Sequence, residues 1–232
     1  MAPRIAKPVI TESLKNCAFW RAVFAEFLGT GILVFIGCGS VDLRLNNTTP
    51  ASAADTVRIS LAFGFAILIL VKALGPISGC HINPAVSISF MLVGKVSLLR
   101  TLFYIPAQCL GAVVGSLFLY GVLPEEFRKT LGYNDLKNGL TPIQGFGTEA
   151  VFTFILIMSI SACLDEQRVE HFYMKVTNPL TIGLTVSAIH LVGVCSEIFL
   201  FNYFNNCNCS MLDSLYRHRN KSSQNFRPRN CY

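Results

Sequence analysis

Ser78-Gly79-Cys80-His81-Ile82-Asn83-Pro84-Ala85-Val86 opens a short apolar segment that runs on to Val93 between two longer apolar runs. At about 16 residues the segment is marginal for crossing a bilayer, which takes ~20. Its own residues favour a dip into the membrane and a return to the same side. Asparagine is a preferred N-cap and proline is preferred in the first helical turn, so Asn83-Pro84-Ala85 reads as a helix start. The five residues before it, Ser78 to Ile82, then read as extended backbone. Non-helical backbone is tolerated at membrane depth only where protein or a water-filled cavity surrounds it. A helix that opens in mid-membrane turns its positive dipole end into that cavity.

The neighbouring runs fit this reading. Apolar stretches extend from Phe19 to Val41, Val57 to Leu74, Leu98 to Val122, Gln144 to Cys163, and from Pro179 to Val194 or as far as Phe204. Gly75-Pro76 breaks the second run, and Pro179 reads as a first-turn proline. The polar stretches Leu43–Thr56, Pro124–Pro142 and Leu164–Asn178 separate them. The expected fold is thus all-α and membrane-embedded, with five spanning helices and one re-entrant half-helix. Phe19–Val41 is too long for a signal-peptide core and holds Glu26, so it reads as an uncleaved span.

Composition agrees. Of 232 residues 52% are hydrophobic and only 14% charged, against about 25% charged in soluble domains. The net charge of +6 sits mainly before the first run and in the last sixteen residues, with no nucleic-acid-binding motif around either cluster. Six of the nine cysteines lie in or beside apolar runs as small hydrophobes. Cys207, Cys209, His218 and Cys231 match no usual zinc spacing. No nucleotide loop, catalytic triad or metal-ligand pair stands out, so neither cofactor nor enzyme activity is expected.

The chain also repeats itself. Ala25-Glu26-Phe27-Leu28-Gly29-Thr30 resembles Thr148-Glu149-Ala150-Val151-Phe152-Thr153, each with a carboxylate early in an apolar helix and threonine four residues on. Carboxylates inside a membrane are functional-site candidates. Proton relay is one role for Glu26 and Glu149, and a structural role is favoured over it. Inverted repeats around a mid-membrane site are a recurrent plan of transporters and channels.

These features, in order along about Phe19 to Gly193, resemble the aquaporin family. The resemblance is carried by Glu26-x-x-Gly29-Thr30, Ser60-Leu61-Ala62-Phe63-Gly64, the Asn83-Pro84-Ala85 segment, Ala107-Gln108, Glu149-x-x-x-Thr153-Phe154, and Gly183-Leu184-Thr185-Val186 with His190-Leu191. It implies passive water permeation through one pore per subunit of a tetramer, homomeric or mixed with intact relatives. Asn83 would hold a water at the pore midpoint, Gly79, Cys80 and His81 would belong to the pore loop, and Phe63 and His190 would line a narrow outer filter. That pair favours water over glycerol. Gln108 would be a structural polar group inside the membrane, and Glu26 and Glu149 would accept backbone N–H groups from the two re-entrant loops. His81 is expected to bond a backbone carbonyl rather than the permeant.

The family's pattern then departs. A second Asn-Pro-Ala is expected near Asn202, where the chain reads Asn202-Tyr203-Phe204-Asn205, and no sixth spanning run follows. The expected organisation is a tail at 1–18, a first half at 19–122 with its re-entrant loop at 75–94, an incomplete second half at 144–201, and a divergent basic tail at 202–232. The sixth helix and second half-helix are expected to be missing. The alternative function is therefore a non-conducting subunit, retained in the endoplasmic reticulum or modulating intact relatives, where the family itself implies the plasma membrane.

With the amino terminus inside, Lys and Arg favour the inner side once the carboxyl tail is left out, and balance when it is counted. That topology puts Asn46 and Asn47, each opening an Asn-x-Thr sequon, on the luminal side. An endoglycosidase gel shift at Asn46 or Asn47 is expected. A shift from a sequon engineered ahead of Arg21 would overturn the topology.

Overall fold

A computed structural model describes residues 14–42, 52–124, 141–165 and 172–196. Among them are six helices and no strand: α1 (Cys17–Asp42), α2 (Ala53–Ser78), α3 (Pro84–Leu92), α4 (Leu98–Val122), α5 (Pro142–Cys163) and α6 (Phe172–Ser196). Helices α1, α2, α4 and α5 are long and apolar enough to cross a membrane. The 25 residues of α6 give it the reach for a fifth span. The nine residues of α3 rise only about 13 Å, less than half the ~30 Å hydrocarbon layer, so α3 is a half-helix. The sequons at Asn46 and Asn47, the tail at 202–232 and the first thirteen residues lie outside the described residues.

The starts of these helices are written locally. Ser52 and Asp55 close a capping box on α2, Thr141 and Gln144 another on α5, and Ser97 caps α4. Two boundaries differ from the sequence expectation. Helix α2 does not stop at Gly75-Pro76 but continues to Ser78. One proline removes a single N–H from the ladder, and the helix ends instead where Gly79 turns left-handed (φ 90°) with its N–H on the Gly75 carbonyl. Likewise α6 starts at Phe172, and Pro179 lies inside it rather than at its start. Next to that proline the Asn178 amide donates to the Cys163 carbonyl (2.5 Å), which fastens the end of α5 to α6.

Two close crossings set the frame. Gly31 of α1 meets Gly111 and Gly115 of α4, backbone against backbone. Gly64 of α2 meets Gly183 of α6 in the same way. Small residues allow such approach, and in lipid close packing substitutes for the hydrophobic drive. The main apolar cluster, including Leu33, Ile67, Leu70, Ile82, Ile182 and Val186, joins α1, α2, α6 and the loop before α3. That cluster forms one side of the site.

Candidate functional site

The site is built around the turn between α2 and α3. Its backbone is not extended, as the sequence led us to expect. Gly79, Cys80 and Ile82 have φ of 90°, 51° and 40°, all left-handed. For non-glycine residues this costs roughly 1–3 kcal/mol each and survives only where the surroundings fix it. The surroundings here are one carboxylate. Glu26, fully buried on α1, accepts the Ser78 hydroxyl (2.5 Å), the His81 N–H (2.9 Å), the Ile82 N–H (2.6 Å) and the Gln108 amide (2.8 Å). Two consecutive N–H groups converge on it because the left-handed turn aims them the same way. Gln108 of α4 also donates to Ser87 Oγ (3.0 Å), and Ser87 bonds His81 Nδ1 (3.1 Å).

From the other side, the Tyr104 hydroxyl donates to the Ser78 carbonyl (2.8 Å) and receives a bond from Arg100 (3.3 Å). Asn83 caps α3 with its Oδ1 on the Ala85 N–H (2.8 Å), and Pro84 is the first helical residue. That bond fixes which end of the amide is the acceptor, and so presents the NH2 end as a donor. His81 is buried between the rings of Phe90 and Tyr104, with centroids at 5.2 and 5.4 Å. Its ring nitrogen meets the Ser87 hydroxyl rather than the backbone carbonyl we expected. The repeated Glu-x-x-x-Thr spacing has a local reason in α1, where Thr30 Oγ1 donates to the Glu26 carbonyl (2.8 Å).

Phe63 and His190 come together although they stand 127 positions apart in sequence. Their rings stack with centroids 4.3 Å apart and planes at 24°. His190 Nδ1 lies 2.9 Å from the Val186 carbonyl, which only accepts, so Nδ1 carries the proton. Gly37 of α1 makes room for the Phe63 ring, since a Cβ there would overlap it.

A cavity of about 1680 Å³ joins these parts. Phe63 and His190 line one end, Cys80, His81, Asn83 and Glu149 its middle, and Lys72, Lys95, Arg100 and Asp165 the other end. Glu149, 6% exposed on α5, is on the wall, and the stretch around Asn202 where a second re-entrant loop is expected lies outside the described residues.

Sequence reasoning missed Ser87, Tyr104 and Gly37. A serine four residues after Asn83 on an apolar half-helix was a signal for the first. Nothing local marks the other two, whose roles arise only from packing between helices.

A re-entrant half-helix, tied by a buried carboxylate and opening on a cavity among membrane-spanning helices, defines a helical membrane channel. The chain matches the major intrinsic protein family over residues 13–199 and belongs to it. It is 42% identical to human aquaporin-5 over 194 residues, which cover 83% of this chain and 67% of that protein. It is 39% identical to rat aquaporin-1 over 190 residues, 80% of this chain and 68% of the relative. Among solved structures, the aquaglyceroporin from Plasmodium falciparum superposes with a TM-score of 0.63 at 25% identity, covering 77% of this chain and 72% of that one.

Proposed function

We propose that the chain is a passive water channel of the aquaporin type, with Asn83 as the mid-pore donor and Phe63 with His190 as the outer filter. The observation that carries this is the placement of all three side chains on one cavity, with the amino end of α3 opening into it. A donor at the midpoint turns each passing water's oxygen toward it, and the positive helix end opposes cations. The carbonyls of residues 79–82 complete the path. Two rings packed in contact at that end are bulky walls for any path that runs beside them, which supports water over glycerol.

In proteoliposomes holding the full chain, osmotic shrinkage should exceed that of protein-free vesicles while glycerol entry stays at background. Phe63→Ala with His190→Ala should admit glycerol. Glycerol entry through the unsubstituted chain would overturn the filter assignment.

One observation favours a second reading, a non-conducting subunit: the Phe63 and His190 rings are in stacking contact, so no water passes between them. Water permeability per surface-labelled molecule separates the two. A value near that of an intact aquaporin rejects the second reading. A value near zero, with the chain held in the endoplasmic reticulum, rejects the first. The outward apolar side chains of α5, such as Phe146 (73% exposed) and Phe154 (67%), support contact with lipid or with other subunits, either copies of this chain in a homotetramer or intact relatives.

Cys80 offers a direct probe of the path. It is buried and lines the cavity three residues before Asn83. In a conducting preparation a bulky thiol reagent should reduce permeability, and Cys80→Ser should abolish the block. Cys163 lines the same cavity, so the measurement is made in a Cys163→Ser background. Block that persists without Cys80 would refute the path.

A further inference from the structure

We infer that the inner half of the cavity is a binding site for a single-chain carboxylate amphiphile, a medium-length fatty acid. This rests on the cavity and its opening, not on whether the chain conducts water.

The two halves of the cavity differ in chemistry. The half between the half-helix and the Lys72 end is walled by Ile67 and Val71 of α2, Leu156 and Ile160 of α5, and Ile182 of α6. From Leu156 to the end of α5 at Cys163 this wall rises about 10 Å at 1.5 Å per residue. The volume of about 1680 Å³ for the whole cavity exceeds the ~300–1,000 Å³ of most small-ligand pockets. These five side chains offer an alkyl chain an apolar surface.

The rim supplies the charge. Lys72, Lys95 and Arg100 line the cavity there, with Asp165 the one acid among the described residues of that rim. Two of the cations are gathered by one imidazole. The Lys95 ammonium stands 5.7 Å from the Phe90 ring and the Arg100 guanidinium 5.7 Å from the Tyr104 ring, and both rings pack on His81. Lys72 and Lys95 are exposed, so their charges remain solvated and free to meet a headgroup. Apolar depth below a cationic rim complements an anionic head on an alkyl chain. It disfavours a cationic or doubly charged ligand, and an inorganic anion would leave the apolar walls unused.

The test uses the full chain in phosphatidylcholine vesicles without an osmotic gradient. A dansyl-labelled undecanoate reports binding by fluorescence in excess of protein-free vesicles. Saturable binding is expected, displaced by laurate but not by dodecanol or dodecyltrimethylammonium, and weakened by added salt. Lys72→Gln with Lys95→Gln should weaken it about tenfold through lost charge. Leu156→Trp, which fills the apolar half and keeps the charges, should remove it. Arg100 is left in place because it also holds Tyr104. Each variant is first matched to the parent by size-exclusion elution, and the ligand series on the unsubstituted chain tests the charge requirement without any substitution. Binding no greater than in bare vesicles, displacement by the cationic analogue, or binding that survives either set of substitutions overturns the inference. Water flux has no part in the readout, so a chain that binds laurate without conducting refutes only the channel reading, and one that conducts without binding refutes only this site.

Discussion

Glu26→Ala is expected to remove the folded pore loop and most of the protein's resistance to heat in detergent. The carboxylate is fully buried and accepts four hydrogen bonds, two of them from consecutive backbone N–H groups. Alanine leaves those two N–H groups, and the Gln108 amide N–H that does not reach Ser87, without acceptors in a buried place. Each buried donor left unsatisfied costs about 1–3 kcal/mol. Three of them, with the Ser78 hydroxyl able to turn elsewhere, cost roughly 3–9 kcal/mol, comparable to the ~5–15 kcal/mol that holds typical domains together. The left-handed residues Cys80 and Ile82 would then relax, and Asn83 would lose its position.

Glu26→Gln separates geometry from volume. Its amide has one accepting oxygen where four donors converge, so its NH2 end must face another donor. An intermediate loss is expected, nearer to alanine than to the parent. The measurement is the fraction still eluting at the native position after heating. Glu26→Ala surviving within a few degrees of the parent would show that the loop is held by its apolar contacts instead.

The same carboxylate shows how far the sequence could be read. Glu26 in an apolar helix, Gln108 in another and Asn83-Pro84 after a glycine-proline break are each conspicuous, because polar groups inside a membrane demand partners. Residue chemistry thus announced that these groups matter and that a half-helix begins at Asn83. It could not announce the left-handed turn at Cys80 and Ile82. Nothing in a cysteine or a β-branched residue favours that conformation, and it exists only because Glu26 pulls two N–H groups toward α1. Helix ends were misread for a related reason. Gly75-Pro76 and Pro179 look like boundaries from local preference, but the long helices around them are anchored by packing on α1 and α5, and one missing N–H does not end them. The resemblance to a family put Phe63 and His190 at one filter, but their ring contact depends on the crossing of α2 and α6 at Gly64 and Gly183, which neither the resemblance nor residue periodicity announced.

The second large effect is expected at the crossing of α1 and α4. A Cβ at Gly111 would overlap the Phe27 carbonyl oxygen and lie 3.2 Å from the Gly31 nitrogen, and one at Gly115 would overlap the Gly31 carbonyl oxygen. These obstacles are backbone, so no rotamer change relieves them. The helices must separate along the contact that also carries Val34, Cys38, Ala112 and Leu119. Overpacking typically costs about 1–3 kcal/mol, and backbone obstacles place Gly111→Ala at the upper end with Gly111→Val beyond it. Displacement of α4 would also carry Gln108 and Tyr104 away from Glu26 and Ser78, so the pore loop loosens together with the crossing. Gly121 lies on the same helix with nothing within 4 Å of a built Cβ. Gly121→Ala should therefore be neutral or stabilise by up to ~1 kcal/mol, the ordinary preference of a helix for alanine over glycine. The same substitution ten residues apart on α4 is thus expected to act in opposite directions, read as the midpoint of heat-induced loss of the native size-exclusion peak. If Gly111→Ala proves as stable as Gly121→Ala, α1 and α4 do not approach each other as closely as described, and Gln108 could not then be held against Glu26 by this crossing.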